Sequence, residues 1–145
     1  AWIRNKTEMN SSEEDFILSY VLTPMVYMIA KRRPATEESF INPPFEWNQN
    51  LYNQMIPRMI NKNREPAIAF VFNNSPALNI GRPGPFDTFE HDLKGNHYKL
   101  FGPMYYFEYA HDPIAKYIKE HMKQVDSFTY QYHTVRCFVD ESKLP

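Results

Sequence analysis

Apolar and polar positions along this chain fall into blocks of distinct period, clearest near the C-terminus. Ile114, Tyr117, Ile118, His121, Met122 and Val125 recur at spacings of three and four, which makes one apolar stripe on a helix. Asp112 can accept hydrogen bonds from the free amides of a first turn, and Pro113 suits the first helical position. Lys116, Lys119, Glu120 and Lys123 take the other side, so the pattern predicts an amphipathic helix over 113–125. Phe128, Tyr130 and Tyr132 then alternate as on a strand, but beyond His133 the apolar set changes phase to Val135, Cys137 and Val139. Either both faces of one strand over 128–139 are covered, or a bulge near His133 re-aims it.

Earlier blocks are denser. Residues 67–72 are short, apolar and closed by Asn73-Asn-Ser-Pro76, which predicts a buried strand. Residues 98–101 and 104–109 are aromatic and read as strands. Residues 16–30 are apolar almost throughout and follow a helix-start signal at Ser11 or Ser12. They predict one central helix, kinked near Pro24 and ended by Pro34. Lys31-Arg32-Arg33 would suit a membrane flank, but a bilayer span needs about 20 residues, so no membrane span is expected. Trp47, Leu51, Met55 and Met59 are spaced by four and predict a helix over 47–61, broken or shortened at Pro57. Residues 1–10 are polar and expected to be loose, with Trp2 and Ile3 able to dock. Residues 36–44 and 79–85 are proline-rich connectors, and 86–93 can form a short helix. The expected fold is α+β, a single domain over 1–145: N-terminal helices packed on an antiparallel sheet, with one further amphipathic helix (113–125).

Composition changes this picture little. At 145 residues the chain can bury a real core, and its make-up fits a soluble globular protein. A net charge of −1 gives the whole molecule no bias toward nucleic acid. Aromatics are abundant at 16%, which would suit a contact surface. The one cysteine, Cys137, rules out an internal disulfide and favours an intracellular, reducing compartment over secretion. Three glycosylation sequons, at Asn5, Asn10 and Asn73, argue the other way.

Candidate chemistry is sparse. Glu90-His91-Asp92, with His97 and His111-Asp112 near in sequence, could bind a divalent metal or exchange protons; Glu90, His91 and His111 are the candidate ligands. Their spacing matches no established ligand pattern, and Asp112 has a sufficient role as a helix cap. Cys137 and His133 share a strand face, but about 13 Å apart by strand rise, too far for direct proton transfer. Gly81-Arg-Pro-Gly84 lacks the Gly-Lys-Ser/Thr ending of a phosphate loop. No cofactor is implied and no catalytic constellation stands out.

Phe70-Val-Phe-Asn73 and Tyr106-Phe-Glu-Tyr109 resemble the two aromatic strand motifs of RNA-recognition motifs, and the order of elements over 66–140 is similar to that family. The resemblance implies a sheet on which Phe70, Tyr106 and Tyr109 stack bases of single-stranded RNA. The departures are Gly102 where a basic residue belongs, Pro103 for the expected Gly, and Met104-Tyr105 within the alternation. The leading expectation is a non-catalytic binding or interaction domain acting through protein contacts, as a subunit of a larger assembly. A nucleic-acid-binding domain is second, and a small enzyme using Glu90, His91 or His111 third.

Overall fold

The structure, a computed structural model, describes residues 1–20, 24–36, 49–72, 113–130 and 133–144. In chain order these form α1 (Trp2–Asn10), β1 (Phe16–Tyr20), α2 (Met25–Ala30), β2 (Arg33–Pro34), α3 (Gln49–Asn61), β3 (Pro66–Phe72), α4 (Pro113–His121), β4 (Met122–Tyr130) and β5 (His133–Asp140). A short 3-10 turn, Glu141–Lys143, follows. The fold is α+β. The described strands make one five-stranded sheet in the order β2-β1-β3-β5-β4.

The sheet is mixed, where the sequence predicted an antiparallel one. β1 runs parallel to both β2 and β3, because helix-bearing crossovers separate these strands along the chain. β5 runs antiparallel to β3 and β4. One face packs Leu18, Tyr20, Ala69, Val71 and Phe138 against Met55 and Met59 of α3 and Ile114 and Ile118 of α4. The opposite face packs Ile17, Ile68, Phe70, Val135, Cys137 and Val139 against Val26, Tyr27 and Ala30 of α2, with Trp2 and Ile3 of α1. Strands covered on both faces read as continuous apolar runs. That is why 16–20 resembled a buried helix and is instead a strand.

Four further expectations need correction. Pro24, at φ −65°, stands immediately before α2, so residues 16–30 are a strand and then a helix rather than one kinked helix. Residues 2–10 form a helix rather than a loose tail, held to the sheet by Trp2, Ile3 and the buried Thr7. α3 continues through Pro57. The helix predicted over 113–125 stops at His121, and Met122–Tyr130 is a strand. Pairing with β5 outweighs the helical spacing of Met122 and Val125. This also explains the change of phase near His133. Phe128 and Val135 belong to two strands in antiparallel register, with Tyr130 opposite His133, so a bulge there is not needed. A register shift does occur, between Gln124 and Asp126.

Candidate functional site

Helix α1 crosses the sheet near β4, and its attachment creates the most distinctive surface among the described residues. The Trp2 ring lies 6.1 Å from Phe70, edge-on, and 5.9 Å from Phe128. Lys6, one turn on, sits 6.0 Å from the Trp2 ring centroid, and its ammonium meets the Asp126 carboxylate at 2.6 Å. The hydrogen bond and charge of Lys6, together with the Ser127 amide and a hydrogen bond from Trp2, hold the Asp126 carboxyl below its usual 3.8. Asp126 therefore grips α1 at two points.

Between this junction and α2 lies an apolar cleft of about 390 Å³, lined by Ala1, Trp2, Ile3, Ile29, Phe128 and Val135. Phe128 remains 46% exposed. Ile29 carries the lining to α2, whose outer side is also apolar. Val26, Tyr27 and Ala30 face the sheet, which leaves Met25, Met28 and Ile29 outward at spacings of three and four. Met25 and Met28 are 68% and 79% exposed. Flexible methionines beside rigid aromatic rings suit an adaptable contact surface.

A second hollow, about 490 Å³, lies along α1 and the end of α2 among Arg4, Glu8, Glu13, Glu14, Lys31 and Arg32. Its charges are largely used within the chain. Arg4 pairs with Glu8 at 3.0 Å, and Arg32 Nε donates to Ser11 Oγ at 3.2 Å. Such mixed, paired charge selects no ligand of one sign.

Of the residues singled out in the sequence, Phe70 is fully buried beneath Trp2, so its ring has no open face on which a base could stack. Tyr106, Tyr109, Glu90, His91 and His111 lie outside the described residues. Burial pushes the Cys137 thiol up to about 12, far from a reactive thiolate. His121 packs on Tyr117, 4.6 Å between ring centroids, while Cys137 belongs to the core of the other sheet face. The described residues include no group of three or more His, Cys, Asp or Glu able to hold a metal, and no helix among them is long and apolar enough to cross a membrane.

No known protein family, curated protein or solved structure matches this chain. Function must therefore be argued from the surface itself. The sequence concealed that surface, since reading 16–30 as one buried helix hid Met25, Met28 and Ile29. The detectable signal was their three-four spacing after Pro24.

Proposed function

We propose that this chain is a non-catalytic binding domain that acts through protein contacts, as a subunit of a larger assembly. The observation that carries the reading is the apolar cleft between α1, α2 and β4, lined by Trp2, Ile29 and Phe128, with Met25 and Met28 exposed on the same helix as Ile29. Exposed apolar side chains scattered singly are ordinary, but their gathering around a concave, aromatic-floored cleft is the pattern of a contact site. Nucleic acid is the weaker reading, because the one described residue of the three stacking candidates is enclosed in the core.

A photo-reactive side chain placed at position 128, in cells of the protein's own source, tests the proposal against the same group at Lys116, which is exposed on the far face. Discrete protein adducts from position 128 and none from position 116 are expected. Equal labelling at both positions, or adducts that nuclease removes, would sink the reading.

A further inference from the structure

The described methionines fall into two sets. Met55, Met59 and Met122 are buried in the core on one face of the sheet, whereas Met9, Met25 and Met28 are largely exposed. Met25 and Met28 matter most, because α2 is anchored by its other side. Val26, Tyr27 and Ala30 are buried, and the Tyr27 hydroxyl accepts from the buried Ser19 amide at 3.0 Å. On the outer side Met25 stands three residues before Met28 and four before Ile29, so it is a surface neighbour of both. Ile29 lines the apolar cleft. A partner that covers Ile29 therefore comes up against a thioether.

Exposed thioethers are open to hydrogen peroxide. The sulfur lone pair attacks one peroxide oxygen, the O–O bond breaks, and the departing hydroxide takes up the proton. Sulfur is oxidised by two electrons, the peroxide is reduced by two, and the products are a sulfoxide and water. An apolar, adaptable side chain becomes a polar one. Cys137, the one thiol, is buried and offers no competing target. We infer that Met25 and Met28 are a modification site: their oxidation by peroxide turns the outer side of α2 polar and releases the partner held at the cleft. The inference rests on the binding reading proposed above and adds its regulation. The anchor of α2 lies on the opposite side of the helix, so the modified chain keeps its fold, and reduction of the sulfoxides restores the surface.

The test uses the full chain with the photo-reactive group at position 128. It is treated with graded hydrogen peroxide, quenched with catalase and added to extract of the protein's own source, while peptide mapping follows each methionine. Met25 and Met28 should gain oxygen before Met55, Met59 and Met122, with the urea midpoint unchanged. Adducts should fall on the order of tenfold in step with them, the effect of burying an unpaired polar group. They should return after treatment with sulfoxide reductases for both epimers. Oxidation of Met25 and Met28 no faster than of the buried three, loss of the fold in step with it, or a fall in adducts that follows Met9 or Met104 instead overturns the inference. Adducts that persist with Met25 and Met28 fully oxidised overturn the switch alone and leave the binding reading standing. Absence of adducts before any peroxide is added sinks both.

Discussion

Tyr27 serves this fold where β2 runs out. β2 pairs only with Phe16 and Ile17 of β1, and the Ala35 amide next to it donates to the Ile17 carbonyl at 2.8 Å. The next β1 amide on that side is Ser19, which is buried. The Tyr27 hydroxyl, carried over from α2, accepts from that amide at 3.0 Å. Removing an acceptor from a buried donor costs about 1–3 kcal/mol, so Tyr27→Phe should lower the urea-unfolding free energy by that order. An unchanged midpoint would refute this role for the hydroxyl. Burial pushes the Tyr27 hydroxyl up from 10.0 to about 12. The folded state thus favours the neutral phenol, and its contribution is complete below pH 10 and fades as pH rises toward 12. The sequence marked this tyrosine as apolar filling. Its polar task was not legible, because it depends on how short a strand elsewhere turns out to be.

At the level of elements, α1 and β4 are joined by a few polar and aromatic groups rather than by a deep core. Trp2 and Lys6 meet Phe128 and Asp126. The Asp126 carboxyl is held below its usual 3.8, so the attachment is complete above that value and is lost as pH falls through the lower folded value. In a Trp47→Phe background, Trp2 fluorescence should therefore change on acidification below pH 3.8. Asp126→Asn should show the altered signal already at neutral pH, with no further step in that range. An acid step that survives in Asp126→Asn would place the coupling elsewhere. The elements differ in how plainly they were written. β3 was legible as a short apolar run with a polar stop, and most of α4 as an apolar stripe of three-four spacing. β1 was not, because a strand covered on both faces has no period of two to betray it. The β4–β5 pair was read as one strand, since the reversal of apolar phase at His133 is equally what a bulge would produce. A proline at position 57 was taken for a break that packing of Met55 and Met59 against the sheet overrides.

At the scale of the molecule, β3 is the central strand of the described sheet and is buried along nearly its whole length. It has β1 on one side, β5 on the other, and helices over both faces. Its amides should be the slowest of any strand to exchange with solvent, and those of β4 the fastest among the longer strands. Protection of β4 equal to that of β3 would mean that something further covers that side. The candidate surface is a property of this scale too. Trp2, Ile29 and Phe128 come from three elements far apart in the chain, and no local pattern could have brought them together. Tyr106, Tyr109 and the acid–imidazole group, which local pattern did suggest, lie outside the described residues.

The central place of β3 has a consequence for synthesis. Its register partners in β1 are some 51 positions earlier, as Tyr20 with Val71, whereas those in β5 come 63 to 71 positions later, from Phe72 with Val135 to Ile68 with Val139. A chain emerging from the ribosome can lay β3 beside β1 at once, but β5 is translated only some 63 to 71 residues after its partners in β3. During that interval the most apolar of the described strands waits for its second neighbour. The nascent chain, not the finished one, is where a holding chaperone would find the most to bind.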